Sequence, residues 1–520
     1  MRLKTANLTI AIIATAALFV GCASLPPTVE RVPTFALEDT SATRLGRAIE
    51  PIVEAHPGVS GFHVLKEGID AYAARLLLVR NADKSLDVQY YIWQDDLTGK
   101  TLLTQVLQAA DRGVRVRLLL DDLDTTDEDD LLHVLDAHPN IEVRLFNPFA
   151  NRGNRLADFV TDSSRVNRRM HNKSMTADNQ ATIFGGRNIG NEYFDAPEAV
   201  GFSDMDVLAV GPVVAEVSHE FDLYWNSDWV YPLSVFNTGA PPADGAIEEI
   251  QREADAFVEA ARSTAYGIAL RNLDIAKLGS VAELDYSWGK WVLGYDQPSK
   301  VDAKVVKGDT HLAPSLKQAI DNTRKDLVVV SPYFVPGKEL TQYLCDLVKR
   351  DIRVRILTNS LAANDVPVVH AGYMRYREDL IKCGIELYEF KPIKGVSIDE
   401  ETNQVKWSGS SRASLHGKYL GVDKRYLFVG SFNLDMRSKE LNTEMGVYFE
   451  SPQYAGQLAA AFDQKAMDVA YRVTLADNGR LQWTTIDNGT IVTLDTEPET
   501  DAWTRFITNI MSGIVPEKQL

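Results

Sequence analysis

The chain has 520 residues, a formal net charge of −18, 45% hydrophobic and 24% charged residues. That length exceeds one compact core, so two domains with additions are expected. The composition excludes a disordered body, and the acidic balance disfavours long-range attraction to nucleic acid or to an anionic membrane surface.

In chain order, Arg2 and Lys4 precede an apolar run, residues 8–20, that is too short to span a membrane comfortably. This is the shape of a secretory signal, residues 1–21. The run ends in Leu-Phe-Val-Gly-Cys and resembles a bacterial lipobox, with Phe19 where such boxes carry Leu. The resemblance implies lipidation of Cys22. Ala23 rather than Asp follows it, which leans towards the outer membrane. A plain signal peptide or an uncleaved anchor, with Cys22 incidental, is the alternative. Residues 22–61, dotted with Pro and charge, read as a tether.

Helical apolar spacing follows over residues 67–82, then a β-branched and aromatic strand over 85–93. "RGVRVRLLLDD" at 112 is answered by "RDIRVRILTNS" at 350, and "IEVRLFNP" at 141 by "IELYEFKP" at 385. A helix precedes each of the two "VRVR"-type strands. Strand, helix, strand is the unit of a parallel or mixed sheet covered by helices. The body is therefore one α/β domain duplicated, residues 62–231 and 301–475, with a helical insertion or bridge at 232–300 and an extension at 476–520. Cys345 and Cys383 either pair or stand as buried thiols; their context decides neither.

The chemistry lies in a second repeat. His171-x-Lys173-x4-Asp178-x6-Gly185-Gly186-x-Asn188 recurs 245 residues later as His416-x-Lys418-x4-Asp423-x6-Gly430-Ser431-x-Asn433. Strand alternation puts each His and its Lys on one face. Two imidazoles and two ammoniums suit a phosphodiester. Lys173, Lys418, Asn188 and Asn433, with Gly186 and Ser431 at the turns, would carry the charge on the non-bridging oxygens. One imidazole would attack phosphorus and the other protonate the leaving oxygen. No metal and no cofactor is called for.

These paired motifs resemble those of the phospholipase D superfamily. "LDVQYYIW", "FSDMDVLAVGPVV" and "GSFNLDMRSKELNTEMG" resemble its cardiolipin synthase-like branch. The resemblance implies two pseudo-two-fold related α/β domains with the site between them, and a phosphohistidine intermediate. It assigns His171 as nucleophile, His416 as general acid, and Asp204 and Glu444 as the carboxylates orienting them. Asp178 and Asp423 belong to the catalytic motif but read as loop-fixing groups, and Asp206 competes with Asp204. Arg187 and Arg437 either touch phosphate or are solvated. The aromatics of residues 221–231 form a lipid-facing lip or pack in the core. The helix at 368–378 walls the pocket or is a surface helix. The implied substrates are phospholipids, phosphatidylglycerol and also phosphatidylethanolamine, at a membrane. Phosphatidyl transfer making cardiolipin leads, ahead of hydrolysis to phosphatidic acid, a nuclease, and a non-catalytic scaffold.

Overall fold

A computed structural model describes residues 24–515 apart from 27–28, 126–128, 197–200, 237–242, 244, 303–311, 395–396, 399–404 and 407–411. The expected signal and Cys22 lie outside the described residues.

The first half carries β1 (Ser60–Leu65), β2 (Ser85–Tyr90), β3 (Arg115–Asp121), β4 (Ile141–Phe146), β5 (Ser174–Ala177), β6 (Ala181–Gly185), β7 (Phe202–Ser203), β8 (Asp206–Val210), β9 (Val230–Pro232) and β10 (Ser287–Gly289). All but β7 join a nine-stranded sheet in the order β10-β1-β8-β6-β5-β2-β3-β4-β9. The second half carries β11 (Trp291–Tyr295), β12 (Asp326–Val330), β13 (Arg353–Asn359), β14 (Glu386–Phe390), β15 (Ile393–Lys394), β16 (Ser397–Ile398), β17 (Val405–Lys406), β18 (Arg412–Leu415), β19 (Tyr419–Val422), β20 (Tyr426–Gly430), β21 (Met445–Glu450), β22 (Ala470–Leu475), β23 (Leu481–Asp487) and β24 (Thr490–Leu494). Its main sheet runs β11-β21-β20-β19-β12-β13-β14-β22-β23-β24. From β1 to β9 and from β11 to β22 the two orders are the same. Each has a parallel centre (β2-β3-β4, β12-β13-β14) flanked by antiparallel strands. The central runs "LDVQY", "VRLLL" and "LVVV" are buried because helices cover both faces, so they read as continuous rather than alternating apolar stretches.

The two sheets meet through β1, β6 and β8 on one side and β20 and β21 on the other. Phe62, Phe184 and Val207 pack with Leu427, Val429 and Phe449 in one apolar cluster. The Phe62 and Phe449 rings stack at 4.3 Å.

Two segments differ from the sequence reading. In the region expected to be a helical bridge, helices at Ala246–Arg262 and Ala265–Asn272 do form. Its end, however, supplies β10 to the first sheet and β11 to the second, so Lys290 alone joins the sheets. The region expected to be a tether is bound to the first half from Arg31 onward. Arg31 donates to the Val230 carbonyl at 2.6 Å, Arg117 to that of Thr34 and Arg144 to that of Val32. The helix Arg44–Glu54 then buries Leu45 and Ile49 in the first core. Cys345 and Cys383 form a disulfide, closing a separation of 38 residues between the helices Gly337–Lys349 and Pro367–Lys382.

Candidate active site

Both histidines sit just before a short central strand, β5 for His171 and β19 for His416. Each is clamped to the opposite half by backbone hydrogen bonds. The His171 N–H donates to the Thr443 carbonyl and the Thr443 N–H to that of Arg169, both at 2.9 Å. The His416 N–H donates to the Ser203 carbonyl at 2.9 Å, and β18 pairs in parallel with β7. The residue after each clamp is an acid, Glu444 or Asp204. The backbone of one half thus delivers a carboxylate to the imidazole of the other.

His171 Nδ1 lies 2.8 Å from Glu444 Oε2 and 3.1 Å from the Ser431 carbonyl oxygen. A carbonyl only accepts, so Nδ1 carries the proton and Nε2 keeps its lone pair. His416 Nδ1 lies 2.6 Å from Asp204 Oδ2. The Tyr91 ring stands edge-on to His171 at 5.1 Å and the Tyr193 ring edge-on to His416 at 5.2 Å. Phe202 stacks on His416 at 5.1 Å. Lys173 Nζ donates to the His171 carbonyl at 2.6 Å. Lys418 Nζ donates to the His416 carbonyl and lies 3.2 Å from His416 Nε2.

Burial sets the electrostatics. It lowers His171 well below the ordinary histidine value, and the ammoniums of Lys173 and Lys418 lower it further. His416 is lowered by burial and then by Lys418, against the raising influence of Asp204. Burial also lowers both lysines. The two carboxylates part company. Burial would raise Asp204, but the His416 imidazole, their hydrogen bond and Lys418 hold it below the usual range. Glu444 is raised to about 7 by burial, with Lys173 opposing. Glu444 accepts from the hydroxyls of Ser431 at 2.5 Å and Ser438 at 2.7 Å, and Asp296 accepts its backbone N–H at 2.9 Å.

The other expected site residues take different places. Asp178 accepts from the backbone N–H groups of Asp83, Lys84 and Ser85, and Asp423 from those of Arg324, Lys325 and Asp326. Both begin a three-residue hairpin connection whose first two residues have positive φ, Asp178 with Asn179 and Asp423 with Lys424. They lie a strand's length from the histidines and anchor the start of β2 and β12. The Ser431 hydroxyl, expected at phosphate, is turned to Glu444. Gly186 makes room for Asp204: a Cβ there would fall 2.3 Å from Asp204 Oδ1. Asn188 donates to the Tyr193 hydroxyl at 2.8 Å and accepts from Ile92 N–H. Asn433 Oδ1 is buried without a hydrogen-bond partner; as an acceptor it offers nothing to a phosphoryl oxygen, so a phosphate contact falls to the amide N–H group of Asn433. Asp206 pairs with Arg75 at 2.8 Å instead of a histidine. Arg187 donates to the carbonyls of Leu65, Lys66, Tyr193 and Asp204, and Arg437 to Asn167. Both arginines are spent on the backbone frame. Phe221, Tyr224 and Trp225 are buried together with Met170 and form no lip. In the helix Pro367–Lys382, Tyr373 and Arg377 are buried and bonded to Glu389.

Tyr91, Tyr193, Phe202, Ser438 and Asp296 were not singled out by sequence. Beneath the site, Glu220 receives a 2.7 Å bond from Asn172, whose amide oxygen accepts from Thr443, and burial pushes Glu220 up to about 8. The only sequence signal for Glu220 is a carboxylate on the apolar face of a helix.

The profile described as "Cardiolipin synthase, PLD-like domain" matches residues 76–225 and 316–466, more than half of the chain. "Cardiolipin synthase C" of Escherichia coli (strain K12) is 42% identical over 92% of this chain and 99% of its own length. An uncharacterized protein of Helicobacter pylori (strain ATCC 700392 / 26695) is 31% identical over 93% of this chain and 94% of its own. The crystal structure of phosphatidylserine synthase from Haemophilus influenzae Rd KW20 shares the fold, with a TM-score of 0.54 at 16% identity over 90% of this chain and 96% of that one. The duplicated sheets, the crossed histidine–carboxylate pairs and these matches place the chain in the cardiolipin synthase, PLD-like domain family of the phospholipase D superfamily.

Proposed function

We propose that the protein is a phosphatidyltransferase that makes cardiolipin through a phosphohistidine on His171. The observation that carries this is the crossed pairing: each imidazole is oriented through Nδ1 by the other half's carboxylate. This frees both Nε2 atoms for chemistry on one phosphorus.

In the first step His171 Nε2 attacks the phosphorus of a bound phospholipid. The P–O bond to the headgroup breaks, and His416 Nε2–H gives its proton to the leaving alkoxide. In the second step the now neutral His416 takes the proton from the glycerol hydroxyl of phosphatidylglycerol, whose oxygen displaces His171. The low-lying Asp204 stays ionised and supports the imidazolium of His416, which suits the acid. Lys173, Lys418 and Asn433 face the phosphoryl oxygens. The substrate's own negative charge raises the proton affinity of groups that burial has lowered. Phosphatidylglycerol and phosphatidylethanolamine are the donors proposed. Cys22, diacylated, holds the protein on a membrane of the cell envelope, the outer membrane facing the periplasm. No helix among the described residues is long and apolar enough to cross one.

Mass spectrometry of lipids incubated with the purified protein tests the reaction. Cardiolipin is expected from phosphatidylglycerol, with phosphatidylethanolamine as a second donor; phosphatidic acid alone would make the protein a hydrolase. For the division of labour, His416→Ala should lose about 10²- to 10⁴-fold on phospholipid. It should still label His171 from a nitrophenyl phosphodiester, whose leaving group needs no acid. Label on His416 in the His171→Ala variant would reverse the roles. Cys22→Ala should lose the acyl chains, read by mass spectrometry of the intact protein, and should bind membranes more weakly in cell fractionation.

A further inference from the structure

The helix Ala502–Ile514 is capped by Asp501, whose side chain accepts from the Thr504 N–H. Its polar face packs on the helix Pro367–Lys382, where Arg375 donates to the carbonyls of Ser512 and Val515. Its other face is apolar and turned to solvent: Trp503 is 68% exposed, Phe506 54%, Ile510 44% and Ile514 74%. Positions 503, 506, 507, 510 and 514 form one stripe at helical spacing. Of the fourteen large hydrophobic residues exposed among the described residues, five lie in this helix and three more in the short helix Arg155–Thr161, so the exposure is concentrated.

Both groups connect to the same site. The end of the helix Ala502–Ile514 is tied in through Val515, which packs against the cluster of Val335 and Val369. The Val335 N–H donates at 2.9 Å to the carbonyl of Leu434, the neighbour of Asn433. On the other side Leu156 and Val160 are 77% and 85% exposed, and Phe159 packs on Phe149 at 5.5 Å. The Arg169 guanidinium covers Phe149 at 5.2 Å, two residues before His171. Each half therefore carries one bare apolar group linked through packing contacts to residues beside its own histidine motif.

We infer that these two groups, led by the helix Ala502–Ile514, insert into a phospholipid bilayer and seat the active-site mouth on the membrane surface. The inference rests on the proposed phosphatidyl transfer, whose substrates live in a bilayer. Charge does not supply the attraction. The chain carries −18, and the one charged residue of the helix, Arg505, is turned back to Thr500. The partner must accept apolar side chains on both flanks of the site while leaving the site open to lipid. A bilayer does so; a second copy seated across both groups would cover the entry route.

The test uses the full lipidated chain on vesicles of phosphatidylethanolamine and phosphatidylglycerol with brominated acyl chains. Because Cys22 would hold any variant on the vesicle, the readout is depth rather than binding. The wild type should show a bromine-quenched fluorescence component that Trp503→Phe lacks. Absence of that component overturns the inference, and this arm needs no turnover. In the second arm Phe506→Ser, Ile510→Ser and Ile514→Ser together should lower turnover on vesicles about tenfold while leaving hydrolysis of a dissolved nitrophenyl phosphodiester unchanged. Undiminished vesicle turnover overturns it, as does a wild-type dimer in detergent that these substitutions split into monomers. If the wild type makes no lipid product but Trp503 is quenched, the proposed reaction fails and the docking surface stands.

Discussion

At the scale of single residues, the two carboxylates predict an unequal response to pH. Glu444, raised to about 7, gains a proton as pH falls through 7, whereas Asp204 stays ionised. In the proposed reaction a protonated Glu444 no longer stabilises the positive charge on the phosphorylated His171. Activity should therefore fall below about pH 7, and Glu444→Gln should abolish that limb, leaving a low rate independent of pH between 6 and 8. A limb that survives at the same position would assign it elsewhere. Glu220 gives a stability prediction with the opposite sense. Its native value of about 8 lies above the unfolded one, so the folded state holds a proton that the unfolded state has lost. That contribution is complete below about pH 4.3 and drains away as pH rises to 8, at up to ~1.4 kcal/mol per unit. Glu220→Gln should raise the melting temperature, by more at pH 8 than at pH 5; a constant offset would mean that Glu220 is ionised when folded. The motif histidines and lysines, Asp204 and Glu444 were legible because the repeat displays them twice or the family resemblance marks them. Glu220, Tyr91 and Ser438 were not, because they matter only through what tertiary packing sets beside them.

At the scale of elements, the duplicated strands were legible from their β-branched runs. The strands β10 and β11 were hidden by brevity, since three to five residues of "SWGKWVLGY" carry no usable period. The segment that composition marks as a tether is bound by arginines of β3 and β4 that reach its backbone, a contact invisible in local composition. Each motif Asp holds three amides at the start of a central strand. Asp423→Ala should destabilise the second half by about 1 to 2 kcal/mol, as three backbone donors, two exposed and one half-buried, lose their acceptor. Asp423→Asn should cost less, and chemical denaturation would show both. The disulfide closes a 38-residue span, worth on the order of 4 kcal/mol in the chain-entropy account. Replacing Cys345 and Cys383 together by Ala should lower the denaturation midpoint and leave the variant insensitive to reductant, whereas reductant should lower the wild-type midpoint to that of the variant; equal midpoints with and without the bridge would refute that weight.

At the scale of the whole molecule, the halves are coupled through their catalytic pairs. Asp204 and His416 are 212 residues apart in sequence yet 2.6 Å apart in space. Asp204→Asn and His416→Ala should therefore fail to add in a double-mutant cycle of kcat/KM, while either combined with a surface change such as Lys317→Ala should add. The crossed arrangement also bears on ancestry. A single repeat holds an imidazole but not the carboxylate that orients it, so a lone copy could have worked only as a pair of identical subunits. In such a pair the two histidines are indistinguishable, and neither can be specialised without changing the other. Joining the copies into one chain removes that bond. One side could then keep an aspartate held below the usual carboxylate range and the other adopt a glutamate poised near neutrality, which lets the two histidines take the separate roles proposed for them.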